Sequence, residues 1–292
     1  MIEVTTELVR QLIASQFPRW SHLTVKPVEK SGHDNRTYRL GEEMSVRLPS
    51  HERYASAVEK EIKWLPVFKP QLSLPIPVPI AKGEPTKDYP LPWSISQWLE
   101  GDTVTHSNIR DMTEFAEDLA AFLKELEAID ASQGVPAGAQ NFHRGGDLTI
   151  YEEDTRSVLA KITRTHDTKL LTEIWELALA TKYSAAPVWV HGDIAVGNLL
   201  AKNGRLSSVI DFGTMGVGDP SSDLVIAWNF LDSRSRITFF DRMGFGEDTI
   251  NRARGWALWK ALISYDWNKK GSELSEWGRR VIAAIVDEYK RK

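Results

Sequence analysis

An aspartate and an asparagine stand close together between two apolar runs in the segment VWVHGDIAVGNLL, residues 188–200. Asp193 follows the first apolar run almost directly, and Asn198 comes just before the chain turns apolar again. A carboxylate at the end of a buried strand is unfavourable unless it is hydrogen-bonded or has a function. We therefore expect the short loop to direct both side chains at one point.

A second aspartate, Asp211, ends the next apolar run. Asn203-Gly204 predicts a tight hairpin between the two runs. Carboxylate and amide oxygens suit Mg²⁺, which prefers few carboxylates and completes its shell with water and substrate phosphates. The order Asp193, Asn198, Asp211 therefore predicts a metal and phosphate site, although either aspartate alone is equally compatible with capping a local turn.

These residues also carry a resemblance. Asp-x4-Asn followed by Asp-Phe-Gly is the order of the catalytic and metal-binding residues in protein kinases. Here the motifs are His191-Gly192-Asp193, Asn198 and Ile210-Asp211-Phe212-Gly213, followed by Asp219-Pro220-x2-Asp223-Leu224. In these motifs the chain resembles the aminoglycoside phosphotransferase family, the small-molecule branch of the protein-kinase-like fold that includes macrolide and choline kinases. The resemblance covers nearly the whole chain.

The resemblance implies a role for each residue of these motifs. Asp193 would orient or deprotonate the acceptor hydroxyl, and His191 would hold the loop in place by hydrogen bonds. Asn198 and Asp211 would hold Mg²⁺ against the phosphates of ATP or GTP. Asp223 is expected to be structural and to brace the catalytic loop.

Glu61 falls on the apolar face of the helix predicted for residues 53–65. A lone carboxylate there needs a cationic partner, although Ile62 fits the apolar stripe as well, which would put Glu61 at its edge. The family pairs this glutamate with a strand lysine that touches the nucleotide phosphates. The matching residue here is Arg47, which can form the ion pair and bind phosphate but differs from lysine in reach and geometry.

Two further parts of the nucleotide site are predicted. By the resemblance, backbone groups of Gln97 and Leu99, in the strand predicted over residues 93–101, would bind the nucleobase. The expected phosphate loop lacks a GxGxxG pattern, but backbone amides from Ser31 to Asn35 can still meet phosphates. Both parts would bind through the backbone, so they do not distinguish ATP from GTP.

The acceptor pocket is expected among the C-terminal helices. Acidic residues there would attract a polycationic aminoglycoside, but they alternate with lysines and arginines, which favours a solvated surface of mixed charge. These acids are Asp232, Asp266, Glu273 and Glu276. Tryptophans of the same region either line an apolar pocket or, as we favour for most of them, pack in the core. They are Trp228, Trp256, Trp259 and Trp267.

Hydrophobic periodicity predicts two lobes. Residues 1–98 combine helices with a run of short strands, whereas residues 99–292 are mainly helical and begin with an amphipathic helix over residues 111–130. This pattern predicts an α+β, bilobal, protein-kinase-like fold. We expect a nucleotide-binding lobe first, then a catalytic and acceptor-binding lobe. The glycines after Asp211 do not open a strand-to-helix unit, which argues against a dinucleotide site.

Composition narrows the functional class. The net charge of −4 gives no basic excess for binding nucleic acid or anionic membranes. The absence of cysteine excludes disulfides and thiol nucleophiles. No run reaches the roughly 18 apolar residues of a membrane span, and the N-terminal residues do not form a signal peptide. We therefore expect a cytoplasmic enzyme without an obligate protein partner.

The sequence predicts a Mg²⁺-dependent phosphotransferase that acts on a small-molecule acceptor. An aminoglycoside or macrolide antibiotic is one class of acceptor. The alternatives are a metabolite kinase for amino alcohols or sugars and a nucleotide-binding pseudokinase, which Arg47 alone favours. A hydrolase is disfavoured because no Gly-x-Ser-x-Gly motif occurs.

Overall fold

The chain forms two compact units in the computed structural model. The structure describes residues 3–29, 32, 34–163, 166–264 and 273–291. Unit 1 comprises Met1–Asp102 and Ser207–Thr214, and unit 2 comprises Thr103–Leu206 and Met215–Lys292. The short second segment of unit 1 contains Asp211, so this aspartate belongs with the strands of the first third of the chain.

Unit 1 is built on a five-stranded antiparallel sheet in the order β1-β2-β3-β5-β4. Its elements are α1 (Thr6–Gln16), β1 (Val25–Pro27), β2 (Asn35–Leu40), β3 (Met44–Pro49), α2 (Ala55–Phe68), β4 (Pro79–Gly83) and β5 (Trp93–Gln97). The proline-rich segment that contains β4 lies at the edge of the sheet, where a missing N–H is tolerated. The strand that carries Arg47, β3, is central and is paired on both sides.

The predicted β2–β3 hairpin is confirmed. Its register pairs Leu40 with Met44, and Gly41 takes a left-handed backbone with a φ of 60°. Leu40 is fully buried in a core that also includes Leu12 of α1 and Trp93 of β5. Val46 and Leu48 of β3 belong to this core, so Arg47 lies on a strand that is held by close packing.

Unit 2 is mainly helical. Its elements are α3 (Met112–Ala128), α4 (Glu152–Lys161), α5 (Thr168–Ala180), β7 (Val188–Val190), β8 (Leu199–Lys202), β10 (Gly216–Gly218), α6 (Ile226–Asn229), α7 (Ser233–Met243), α8 (Glu247–Ser264) and α9 (Glu273–Lys290). Two short strands, β6 (Asp102–Thr103) and β9 (Arg205–Val209), each have residues in both units. β6, β8 and β9 form one small sheet, and β7 and β10 form another. A β-rich unit and a mainly helical unit confirm the predicted α+β class.

The predicted hairpin at Asn203-Gly204 is also confirmed, since both residues have positive φ and join β8 to β9. Core packing is confirmed for three of the four tryptophans: Trp228, Trp256 and Trp259 are 3%, 1% and 4% exposed. Trp267 lies outside the described residues. None of the helices that the structure describes is long and apolar enough to cross a membrane.

The glycines after Asp211 have a packing role. Gly216 and Gly218 lie in β10, which pairs with β7, the strand that precedes the loop carrying Asp193. A Cβ added to Gly218 would stand 2.1 Å from the carbonyl oxygen of Gly145, far inside van der Waals contact. Glycine is therefore needed here for close backbone approach, and this fits the rejection of a dinucleotide fingerprint.

Gly218→Ala is expected to lower the free energy of unfolding by about 1–3 kcal/mol, because the added methyl forces two backbones apart. Urea unfolding measures the change. Gly246→Ala is the matched control, since a Cβ there meets nothing within 4 Å. Equal stability of the two variants would contradict the steric role of Gly218.

Candidate active site

The loop after β7 is held by a buried carboxylate. Asp223, 2% exposed, accepts hydrogen bonds from the backbone N–H groups of His191 at 2.6 Å and Gly192 at 2.7 Å. Gly192 has a φ of 83°, a conformation that favours glycine. The buried His191 accepts a hydrogen bond on Nδ1 from the Asp193 N–H at 3.2 Å. The predicted bracing by Asp223 and the loop contact of His191 are both confirmed.

Both oxygens of the Asp193 carboxylate are held. The Asn198 side-chain amide donates to Asp193 Oδ2 at 3.0 Å and to its backbone carbonyl at 2.9 Å. The Lys260 ammonium donates to Asp193 Oδ1 at 2.5 Å. Burial works to raise the pKa of Asp193, but Lys260, aided by Arg144, holds that pKa below its ordinary value. Asp193 and Asn198 thus lie together as the sequence predicts, and the Lys260 ammonium contacts the same carboxylate.

The sequence-based prediction did not include Lys260. It belongs to α8, where it follows a tryptophan and precedes apolar residues in the run WALWKALI, residues 256–263. A single lysine within an otherwise apolar run is unfavourable unless it is paired. That pattern in the sequence indicates a paired lysine, although it does not identify Asp193 as the partner.

Unit 1 carries a second charged network. The Arg47 guanidinium lies between two carboxylates, with Nη1 3.0 Å from Glu61 Oε1 and Nη2 2.6 Å from Asp211 Oδ1. Glu61 is 4% exposed, so it faces the interior and not the edge of the stripe. Burial works against the charge on Arg47, but the two carboxylates raise its pKa above the ordinary value. Burial likewise raises the pKa of Glu61, and Arg47 opposes that rise.

Asp211 is held in a strained backbone conformation. Its φ is 66°, which costs a non-glycine residue about 1–2 kcal/mol. Next to it, the buried Lys60 of α2 donates from Nζ to the carbonyl oxygen of Gly213 at 2.8 Å. Burial lowers the pKa of Lys60 to about 8. Strain that the surroundings maintain is typical of functional positions. Helix α2 contacts this segment through Lys60, and its Glu61 binds Arg47, which in turn binds Asp211.

The residues present suit a hard cation such as Mg²⁺. The Asn198 amide nitrogen is used on Asp193, and no described residue donates to the Asn198 oxygen. Arg47 is the one described partner of Asp211, on Oδ1, so Oδ2 is left over. Within the described ranges no three acidic or histidine side chains cluster. The Asn198 oxygen and Asp211 Oδ2 could each be a ligand of a hard cation such as Mg²⁺, which commonly takes its remaining ligands from phosphate and water.

The two residues predicted to read a nucleobase lie at the end of β5. The Gln97 N–H donates to Val78 O at 3.2 Å, so this N–H is already engaged by the protein backbone. The Leu99 N–H has no partner among the described residues. In the predicted phosphate segment, Ser31 and His33 lie outside those residues. Gln97 and Leu99 keep their predicted roles, which no contact in the structure tests.

The predicted acceptor-site acids do not form a described anionic cluster. Asp232 caps α7 by accepting from Ser235 N at 2.8 Å. Glu276 is exposed. Asp266 and the side chain of Glu273 lie outside the described residues. Glu127 of α3, absent from the sequence-based prediction, is partly buried, and burial followed by the nearby Asp223 carboxylate raises its pKa to about 8.

The family model described as the phosphotransferase enzyme family matches residues 24–262. The chain belongs to this family. An aminoglycoside 3'-phosphotransferase of Escherichia coli is 25% identical over 154 residues, which cover 48% of this chain and 53% of that relative. One of Salmonella typhimurium is 31% identical over 84 residues, 27% of this chain and 31% of that relative. The chain thus aligns with about half, or less, of the length of the curated relatives it matches.

Solved structures of similar fold match almost end to end. A GDP complex of aminoglycoside 2'-phosphotransferase-IIIa has a TM-score of 0.74 and 17% identity, over 98% of this chain and 100% of that one. The apoenzyme of macrolide 2'-phosphotransferase MphH from Brachybacterium faecium has a TM-score of 0.58 and 21% identity, over 96% and 97%. At these identities the similarity concerns the fold, and it confirms the protein-kinase-like prediction.

Arg47→Met is expected to lower the free energy of unfolding by about 3 kcal/mol, because it leaves the buried Glu61 without its counter-ion. Urea unfolding at neutral pH measures this. The control is the double variant Arg47→Met/Glu61→Met, which removes both charges and should recover most of the loss. A double variant as unstable as the single one would mean that Glu61 is not the group left uncompensated.

Glu127 should make stability depend on pH. Its folded pKa of about 8 exceeds the unfolded value of about 4.3. Its protonated form therefore stabilises the fold at low pH, and this contribution is lost as pH rises through about 8. Between pH 5 and pH 8.5, Glu127→Gln should lose about 4 kcal/mol less stability than the wild type, because about 3 pH units of the interval between the two pKa values lie in this range. The exposed Glu153→Gln serves as control, and parallel pH curves for all three proteins would contradict the assignment.

Proposed function

We propose that this protein transfers the γ-phosphoryl group of ATP or GTP to a hydroxyl group of a small molecule, in a Mg²⁺-dependent reaction in the cytoplasm. The observation that carries the proposal is the geometry of Asp193. Its carboxylate is fixed by Asn198 and Lys260 on a loop whose backbone is anchored by Asp223. Family membership and nucleotide complexes of proteins with similar folds support a nucleotide donor.

Phosphoryl transfer depends mostly on positioning and on stabilisation of charge. Asp193 would accept a hydrogen bond from the acceptor hydroxyl and align its oxygen with the phosphorus. Because Lys260 holds the pKa of Asp193 low, the carboxylate is a weak base. It would therefore orient the hydroxyl more than remove its proton early.

The remaining residues would bind the nucleotide. Arg47 would contact phosphate oxygens, held in place by Glu61, and the backbone at Gln97 and Leu99 would bind the base. Asn198 and Asp211 would hold Mg²⁺ through their free oxygens. When bound, the metal would neutralise charge on the phosphates.

The acceptor class is testable with one panel. ADP and GDP release from ATP and GTP would be measured with Mg²⁺ across aminoglycosides, macrolides, amino alcohols, sugars and their acids. Release that requires both Mg²⁺ and one acceptor class is the expected result. Nucleotide binding without release for any acceptor would support the pseudokinase alternative, which the contact between Arg47 Nη2 and Asp211 Oδ1 favours.

Two aspartate variants should separate the proposed roles. Asp193→Asn is expected to lower turnover by at least about a hundredfold while leaving nucleotide affinity unchanged, since it removes only the group that orients the hydroxyl. Asp211→Asn should instead weaken binding of the Mg²⁺-nucleotide complex in calorimetry. Turnover of Asp193→Asn equal to wild type, or unchanged affinity in Asp211→Asn, would remove that residue from its proposed role.

A further inference from the structure

Arg144 is a half-buried cation whose charge interacts with Asp193 and Asp223 at a distance, without direct contact. Its guanidinium stacks on Trp259, with Cζ 4.6 Å from the ring centroid, and lies 5.5 Å from that of Trp256. Its Nε is buried without a hydrogen bond. Within the part of the chain that the structure describes, no carboxylate forms a salt bridge with it. Burial lowers the pKa of Arg144, so the charged guanidinium is held at a cost that a bound anion would offset.

The same guanidinium lines a small recess beside Asp193. The recess lies within unit 2, and its walls include Arg144, Asp193, Ser222, Trp256 and Lys260. Ser222 is 4% exposed, and its hydroxyl has no hydrogen-bond partner among the described residues. A buried hydroxyl is normally satisfied. The walls of the recess therefore include a guanidinium that forms no salt bridge and a hydroxyl that makes no hydrogen bond among the described residues, and both groups are donors that suit an oxyanion.

The charge around Asp193 is unsuited to an amine. The Asp193 carboxylate is paired with Lys260, and Asp223 is committed to two backbone N–H groups. The raised pKa of Glu127, about 8, keeps it mostly neutral at pH 7. The one described acid in the walls of the recess, Asp193, is thus engaged by Lys260, so a polycation there would meet Arg144 and Lys260 without a free carboxylate.

We propose that Arg144 and Ser222 form an anion-binding subsite beside Asp193, and that the physiological acceptor is a small hydroxy compound carrying a carboxylate or phosphate group. The identification of the bound compound as an acceptor rests on the proposed phosphoryl transfer. The existence of the anion-binding subsite does not depend on that reaction. Lys260 keeps Asp193 neutralised as an ion pair, so an anion can approach without repulsion, and its attachment to Arg144 would bring a neighbouring hydroxyl to Asp193.

The test compares three ligands of one skeleton and different charge. Glycerate, glycerol and 2-aminopropane-1,3-diol are titrated by calorimetry into protein saturated with Mg²⁺-ADP, and inorganic sulfate is titrated with and without the nucleotide. Glycerate and sulfate should bind, and the neutral and cationic compounds should bind at least about tenfold more weakly, as expected for loss of hydrogen bonds to a charged group.

Variants locate the binding. Arg144→Met should weaken glycerate and sulfate binding by about tenfold or more, and Arg144→Lys should retain part of the affinity because the charge remains. Ser222→Ala should weaken both anions less. Arg242→Met, which removes an exposed arginine paired with Glu117, should change nothing. Melting temperatures establish that each variant is folded.

The outcomes separate the two proposals. Tighter binding of the amine or glycerol than of glycerate would overturn the anionic acceptor, while phosphoryl transfer to another acceptor would still stand. Anion affinity that is absent, or unaltered in Arg144→Met and Arg144→Lys, would also overturn it. An effect of Arg144→Met on ADP affinity alone would mean that the guanidinium serves the donor phosphates. Anion binding that depends on Arg144, without phosphate transfer to any hydroxyl compound, would uphold the subsite and refute the proposed function.

Discussion

The pairing of one buried carboxylate with two backbone N–H groups underlies the geometry of the Asp193 loop. Asp223 accepts hydrogen bonds from the N–H groups of His191 and Gly192. Burial raises the pKa of Asp223, and the His191 side chain and these two backbone hydrogen bonds oppose that rise. Ionised acceptors form stronger hydrogen bonds than neutral ones, and burial removes competing water. The loop can therefore leave β7 in a fixed direction. The contacts of Asp193 with Asn198 and Lys260 depend on that direction, because a carboxylate on a mobile loop could not hold two donors at once.

In unit 1 a single cation, Arg47, positions Asp211 much as Asp223 positions the loop that carries Asp193. Arg47 connects a helix carboxylate, Glu61, to Asp211 on a separate segment of the chain. A lysine is a point charge, whereas the planar guanidinium can serve two carboxylates with different nitrogens. Arginine at this position thus preserves the ion pair and adds a direct hold on Asp211, whose left-handed backbone needs support. The contact with Arg47 also competes with any other group that would bind Asp211 Oδ1. Arginine in place of lysine therefore affects both the position of the Asp211 carboxylate and its availability to a ligand.

Local patterns allowed much of this to be predicted from the sequence. The hairpins needed only turn residues at the right places, and the approach of Asn198 to Asp193 needed only a short loop. The end of α2 was predicted wrongly: Pro66 lies inside the helix, which continues to Phe68. Proline removes one hydrogen bond, but Leu65 and Phe68 are fully buried, and their packing outweighs that loss. The contact of Lys260 with Asp193 joins residues 67 positions apart, and no local pattern encodes such a pairing.

The two sides of the proposed reaction differ in how far family membership constrains them. Phosphate and metal chemistry needs the same oxygen ligands whatever the acceptor, so the order of Asp193, Asn198 and Asp211 along the chain is enough to propose their roles. The acceptor side has no such requirement, because function there follows from the charges that line the pocket. Aminoglycosides are polycations, and relatives with that name would need free carboxylates to bind them. Beside Asp193 this chain instead places two cations, Lys260 and Arg144, and Arg144 forms no salt bridge with any carboxylate that the structure describes. The electrostatics of the site therefore argue for an acceptor of opposite charge to those antibiotics.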